Sequence, residues 1–392
     1  MERSIVHLNV ADFAVAVERQ EQAGLHDRPV IVAPPGGRSL VYDMSEEAYR
    51  AGVRKGMILE RARKLCREAR LLPPRPQLYE RAMSEMFRLA LPYSPLVEGD
   101  EHSGHIFLDL TGTGRLWGPA RDVAWRIRRE AKARLGLQPI WGLAVNKLVA
   151  KIATRVVKPD GEHVVPSGAE EAFLRPLPLH LLPGLEREDL LTLASFHLRR
   201  VGQAALWTPE QLEVVFARRG DHFHRLLRGV DNSPVMAAGS GSQRVVVERQ
   251  FAGDTNDVAQ VDRAIFLLAE GVGRRLRGMG RVARRISLTL HYSDGMRTTR
   301  QRGHAQGTAN DFLLFDMARQ ALAAAWTRRV RLSHLRLVSD RLAFPPAQMD
   351  LPLLSGPSQA RQARQESLVQ ALDRIRGRHG SEMIRLGRAL GQ

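Results

Sequence analysis

Gly142-Leu143-Ala144-Val145-Asn146-Lys147-Leu148-Val149-Ala150-Lys151-Ile152-Ala153, followed by Lys158-Pro159-Asp160-Gly161, is the stretch that decides the fold. A short apolar run around Ile140-Trp141-Gly142-Leu143-Ala144 reads as a strand, and it feeds a helix over Asn146 to Val157. Lys147 and Lys151 are four residues apart and share a helix face, while Lys158 stands at the exit turn. Three ammonium groups beside a strand-to-helix turn suit a triphosphate or a DNA backbone. Two lysines alone would be read only as a solvated face.

Outward from this point, strands and helices alternate through the first 160 or so residues, which predicts an α/β sheet domain. Ser4 to Leu8 reads as a strand entering a helix capped by Asp12. Pro29-Val30-Ile31-Val32-Ala33 and Ser39 to Tyr42 read as strands, and Gly52 and Gly56 punctuate two helical stretches. Pro73, Pro74 and Pro76 interrupt the chain before a helix from about Gln77. Ile106-Phe107-Leu108-Asp109-Leu110 is a strand closed by Thr111-Gly112-Thr113-Gly114, and a helix follows from about Pro119 to Leu135. Short helices fill Gly168 to Met236, and Ala237-Ala238-Gly239-Ser240-Gly241-Ser242 has the composition of a flexible linker.

The last unit reads β-α-β-β-α-β. Arg244 to Phe251 is a strand, and Val258, Val261, Ile265, Leu268, Val272 and Leu276 mark one helix face. Ile286, Leu288, Leu290 and Tyr292 alternate along a second strand that turns at Ser293-Asp294-Gly295. A helix over Asn310 to Arg329 and a strand over Val330 to Leu342 complete the unit, with a basic helix around Ser367 to Arg378 beyond it.

The 392 residues carry a formal charge of +17, mainly through arginine, which pairs bidentately with phosphate and makes a polyanion the expected partner. Aromatic content of 6% argues against a large aromatic-lined ligand pocket. Cys66 is the only cysteine, so an intrachain disulfide and a thiolate zinc cluster are excluded. Its helical pattern predicts a buried small hydrophobe. The first residues lack a signal-peptide apolar region and no run is long enough for a bilayer, so the expectation is a cytoplasmic protein without a membrane partner.

The opening stretch resembles the palm signature of the Y-family translesion DNA polymerases. His7-Leu8-Asn9-Val10-Ala11-Asp12-Phe13 resembles that family's first palm strand, and Ala51-Gly52-Val53-Arg54-Lys55-Gly56-Met57 its fingers segment. Leu182-Pro183-Gly184-Leu185 is similar to a thumb helix-hairpin-helix turn. The resemblance implies an α/β and α+β right-hand architecture. Palm would span 1–18 and 77–167, fingers 19–76, thumb 168–236, a linker 237–243, a βαββαβ little finger 244–345, and a tail 346–392.

The departures are chemical. Two-metal nucleotidyl transfer needs converging carboxylates. Where the family carries two aspartates on its first palm strand, this sequence has Asn9 and Ala11. Counting back without a gap from Leu108-Asp109, the family's Asp-Glu pair falls on Gly104 and His105; with a four-residue insertion Asp100 and Glu101 could stand there. Family positions that hold the incoming triphosphate align with Glu46 and Tyr49, and the one that excludes ribonucleotides aligns with Ala14. No cofactor is expected on this pattern. The alternative is a polymerase using magnesium on displaced acids among Asp12, Asp100, Glu101 and Asp109.

The run from Leu108 to Gly118 is similar to the ImuB-like, catalytically inactive branch of the family. That resemblance implies an adaptor in damage-induced mutagenesis that joins a sliding clamp, a RecA-like partner and a separate error-prone polymerase. Gln348-Met349-Asp350-Leu351-Pro352-Leu353-Leu354 is similar to a clamp-docking peptide, in which Gln348 meets a polar rim and Leu351, Leu353 and Leu354 fill an apolar groove. Arg274, Arg275, Arg277, Arg281, Arg284, Arg285, Arg297, Arg300 and Arg302, with few acids near them in sequence, are expected to track a DNA backbone of primer-template without reading its bases.

Overall fold

The computed structural model describes residues 2–36, 39–99, 103–238, 244–345, 357–380, 383, 384, 386 and 387. The chain divides into two compact units, 1–241 and 242–392.

In the first unit the strands are β1 (Ile5–Val10), β2 (Val30–Val32), β3 (Asp43–Met44), β4 (Arg70–Leu72), β5 (Val97–Gly99), β6 (His105–Asp109), β7 (Pro139–Ala144) and β8 (Glu162–Val164). Its long helices are α1 (Phe13–Glu21), α2 (Pro76–Ala90), α3 (Ala120–Leu135) and α4 (Lys147–Val156). The main sheet runs β5-β6-β1-β7-β8, so β1 lies at its centre, antiparallel to both neighbours. Because side chains alternate along a strand, Val6, Leu8 and Val10 point into a core with Met83 and Met86 of α2 and Val123 and Ile127 of α3. Ile5 lies on the opposite face, against Val149, Ala150 and Ala153 of α4.

Gly142 explains why the strand and helix of the opening stretch sit so close. A Cβ there would lie 2.4 Å from the Ala150 carbonyl oxygen and 2.8 Å from the Ala153 Cβ. The helix starts at Asn146, whose Oδ1 accepts from the Val149 amide at 2.9 Å while its Nδ2 donates to the Gly229 carbonyl at 2.7 Å. A buried carboxylate ties α1 to α2: Glu18 accepts from the Tyr79 hydroxyl at 2.8 Å and from the Arg75 guanidinium.

A small sheet ordered β3-β2-β4 packs its own core of Ile31, Val41, Met44, Val53, Leu59 and Cys66. Cys66 is buried there as a small hydrophobe. The expected strand over Ser39 to Tyr42 is displaced: Leu40 only bridges Ile58, and the paired residues are Asp43 and Met44, opposite Val32 and Ile31. Helices between 148 and 227 enclose a further apolar cluster around Leu174, Leu193, Leu212 and Phe223.

The second unit contains β9 (Val245–Thr255), α5 (Val258–Gly278), β10 (Val282–Tyr292), β11 (Arg297–Thr308), α6 (Asp311–Ala325) and β12 (Leu332–Ala343), then α7 (Pro357–His379). The β-α-β-β-α-β order is therefore present, in an antiparallel sheet ordered β11-β10-β12-β9. Ile286, Leu288 and Leu290 face Ile265, Leu268 and Val272 of α5 and Leu314 and Ala318 of α6. The helix expected to reach Arg329 stops at Ala325. The terminal helix begins at Pro357, ten residues before the expected Ser367, and buries Val369 and Leu372. Among the described residues no helix is long and apolar enough to cross a membrane.

Candidate functional site

Strand β1 carries His7 and Asn9 on the face opposite its apolar core residues, and both are buried. Register places Asn9 directly across from His105 on β6 and His7 across from Phe107. His7 Nε2 lies 3.1 Å from His105 Nδ1, and His7 Nδ1 lies 2.8 Å from the Thr154 hydroxyl on α4. Burial first, then the charges of His105, Lys151 and Arg155, hold the His7 pKa well below its usual value, so the ring is neutral at physiological pH. Gly104 adopts φ +74°, and a Cβ there would lie 2.7 Å from the Phe13 Cβ, so no side chain fits without displacing Phe13.

The structure thus brings Asn9, Gly104 and His105 together. What it assembles is an amide beside two imidazoles. Hard divalent cations such as magnesium take carboxylate and carbonyl oxygens, and among the described residues no group of three His, Cys, Asp or Glu side chains is placed to hold a metal. The described donors do not fit a two-metal centre. Asp100 and Glu101 lie outside the described residues.

The start of α1 forms the second part of the site. Asp12 stands at the N-cap position in the left-handed region, φ 47°, and makes no side-chain cap bond, contrary to the capping role expected of it. The cap comes instead from a distant strand. Asp43, 2% exposed, accepts from the Ala14 amide through Oδ2 at 2.9 Å, from the Met44 amide through Oδ1 at 2.9 Å, and from Lys55 Nζ at 2.8 Å. Burial, then the neighbouring Asp43 charge, pushes the Asp12 carboxyl up to about 6, with Lys158 and Lys55 opposing. Glu46 pairs with Arg50 at 3.0 Å, and Arg54 covers the Tyr49 ring at 3.8 Å.

The three lysines have different roles. Lys147 is mostly buried and holds Glu98 of β5 through both carboxylate oxygens at 2.9 Å. Lys147, expected to contact phosphate, thus has a carboxylate partner within the chain. The charge of Lys151 acts on His7, and Lys158 is exposed and acts on Asp12. Asp43, Lys55 and His7 were not singled out from sequence. Strand alternation would have placed His7 on the face of Asn9, but nothing local marks Asp43 as a cap for α1.

In the second unit the nine arginines separate. Arg277 binds Asp311 at 2.6 Å and Asp373 of α7 at 2.6 Å, and Arg285 binds Asp340 at 2.6 Å. Arg281 stacks on Phe344 at 3.4 Å. Few acids are near them in sequence, yet the sheet and the terminal helix deliver these partners from 30 to 100 residues away. Arg274, Arg275, Arg284, Arg297 and Arg300 are exposed, and Arg302 is half-buried with a bond to the Gln320 carbonyl. They do not share one face: Arg274 and Arg275 lie on α5, behind the sheet, whereas Arg297 pairs in register with His291 on the face away from α5 and α6. That face also presents Arg336, Glu248 and His334, with Glu248 bonded to Arg336 at 3.0 Å. Gln348, Leu351, Leu353 and Leu354 lie outside the described residues.

A family model described as the impB/mucB/samB family matches residues 8–155, and the model of that family's C-terminal domain matches residues 242–351. A protein of Desulfatibacillum aliphaticivorans named DNA polymerase IV is 31% identical over 393 residues, covering 98% of this chain and 96% of its own length. One from Dehalococcoides mccartyi strain CBDB1, with the same name, is 30% identical and covers 98% and 97%. A solved chimeric Y-family DNA polymerase superposes with a TM-score of 0.74 at 18% identity, covering 87% of this chain and 99% of that one. At that identity the superposition speaks for the fold.

Proposed function

We propose that this chain, which belongs to the impB/mucB/samB family of Y-family DNA polymerases, serves DNA-damage bypass as a polymerase-like accessory protein that grips primer-template DNA by its backbone and transfers no nucleotide itself. The observation that carries this reading is the pairing of Asn9 with His105 beside a neutral His7. A two-metal reaction needs anionic oxygens that hold both cations across the attacking and leaving groups. An amide oxygen supplies one neutral donor, Ala11 none, and the imidazoles contact each other.

The likeness to the ImuB-like branch supports the accessory role, together with Ala14, Glu46 and Tyr49 at positions where the family handles sugar and triphosphate. On this reading 1–18 and 77–167 act as palm, 19–76 as fingers, 168–236 as thumb and 244–345 as little finger. The net charge of +17 supports binding to the DNA backbone. The Gln348 to Leu354 sequence supports docking on a sliding clamp, from which a RecA-like partner and a separate error-prone polymerase would be reached.

A second reading is favoured by one observation: the full-length relatives are named DNA polymerase IV. It assigns Asp100 and Glu101 to magnesium. Primer extension with magnesium or manganese decides between the two. The accessory reading expects no template-dependent incorporation; incorporation that Asp100→Ala abolishes would establish the polymerase.

A further inference from the structure

The first four amides of a helix have no partner within it and carry the positive end of its dipole, which makes a helix start a ready anion site. At α1 that role would fall to the residue at the cap, yet Asp12 is turned into the left-handed region and makes no cap bond. Asp43 reaches in from β3 instead. One of its oxygens takes the Ala14 amide, the other takes Lys55, and the side chain is almost wholly buried.

The surroundings already favour an anion. Lys55 and Lys158 both act on this corner, and the family resemblance implies that Ala14 would lie against the sugar of an incoming nucleotide. An amide at a helix start with two lysines is the equipment needed to hold a phosphate. Here the anion is part of the chain.

We propose that Asp43 is a built-in substitute for a phosphate group: its carboxylate fills the anion position at the start of α1, holds Lys55 in an ion pair, and so excludes nucleoside triphosphates from this corner. An arriving triphosphate would have to displace a buried carboxylate from its amide and its lysine while meeting the like charges of Asp43, Asp12 and Glu46. Like charges in a partly desolvated site oppose binding strongly. Asp43 is thus a specificity residue acting by repulsion. The inference deepens the accessory reading and rests on it for its biological sense, although its geometry is independent of the metal site.

The test is equilibrium binding of deoxyadenosine triphosphate, with inorganic tripolyphosphate as a second probe, to the full chain without DNA. Asp43→Asn keeps the size and an acceptor for the Ala14 amide but removes the charge. It is expected to bind both probes at least tenfold more tightly than the wild type. The double variant Asp43→Asn with Lys55→Met is expected to lose most of that gain. A folded Asp43→Asn chain, checked by circular dichroism, that binds no better than the wild type overturns the proposal. A check on the wild type does not depend on any variant folding: millimolar deoxyadenosine triphosphate should leave the rate of Lys55 acylation unchanged, and protection of Lys55 overturns the proposal. Primer extension by the wild type needs a bound triphosphate and would refute both the accessory reading and this inference. An inactive wild type with no gain in the variant would refute this inference alone.

Discussion

His7 and His105 stack on adjacent strands with ring planes 14° apart and centroids separated by 5.1 Å, beside Asn9. His7 is fully buried, and a proton on it would add a charge to a site already under the fields of Lys151 and Arg155. The folded-state pKa therefore lies below that of an unfolded histidine. The unfolded chain takes up a proton on acidification that the folded chain resists, so the His7 contribution is complete above about pH 6.5 and lost as pH falls, by at most about 1.4 kcal/mol per pH unit. Urea melts between pH 7.5 and 5 should show the wild type losing stability more steeply than His7→Gln. Parallel curves would mean that His7 accepts its proton without penalty.

Asp12 runs the opposite way. Its carboxyl is raised to about 6, above the usual aspartate value, chiefly by burial and by Asp43. A raised acid contributes stability below its unfolded pKa, and that contribution is lost as pH rises through about 6. Asp12→Asn keeps a residue type that tolerates φ 47° and removes the charge. The variant should match the wild type near pH 4 and exceed it in melting temperature at pH 7.5. A variant less stable than the wild type at pH 7.5 would show that the Asp12 charge is satisfied by Lys158 and Lys55.

Much of the fold follows from local patterns, and the site divides along the same line. The Gly142 to Ala153 stretch announces a strand and a helix in close approach, and the little-finger-like unit follows from alternation at Ile286 to Tyr292 and the helix face from Val258 to Leu276. Asn9 and His105 meet through the register of β1 with β6. The missed features depend on pairs distant in sequence: Asp43 with Ala14, Lys147 with Glu98, Arg277 with Asp373. No periodicity encodes such a meeting. The charge of Lys147 suggested phosphate, and nothing local announces its carboxylate partner 49 residues earlier.

Asn146 offers a test of the opening stretch. Its side chain caps α4 and also satisfies the buried Gly229 carbonyl. Asn146→Ala removes both bonds and leaves that carbonyl without this donor, a combined cost of about 2–4 kcal/mol on ordinary values for a cap and a buried unsatisfied group. Urea denaturation should show that loss with an unchanged m-value. A loss under about 0.5 kcal/mol would mean that the cap is replaceable, as it is at exposed helix ends.

The arginines of the second unit supply a sharper separation, because charge and structure predict different outcomes for residues of one type. Arg277 is held between Asp311 and Asp373, with Asp311 almost fully buried. Truncating it strands a carboxylate in the interior, and breaking a buried pair in this way costs about 3–5 kcal/mol. Arg297 and Arg300 are exposed on the edge strand β11, where truncation should change stability by less than about 0.5 kcal/mol. Their role is expected in the salt dependence of binding: removing one arginine that neutralises a phosphate lowers the slope of log K against log salt by about one. Thermal melts and fluorescence anisotropy on a primer-template duplex, run on Arg277→Ala and on Arg297→Ala with Arg300→Ala, measure both quantities. The first variant should melt lower and keep the wild-type slope while folded. The second should melt as the wild type does and bind with a slope shallower by up to two. If the double variant keeps the full slope, the edge strand does not touch the backbone, and the charge that holds DNA has to be sought elsewhere, on Arg274, Arg275 and Arg284.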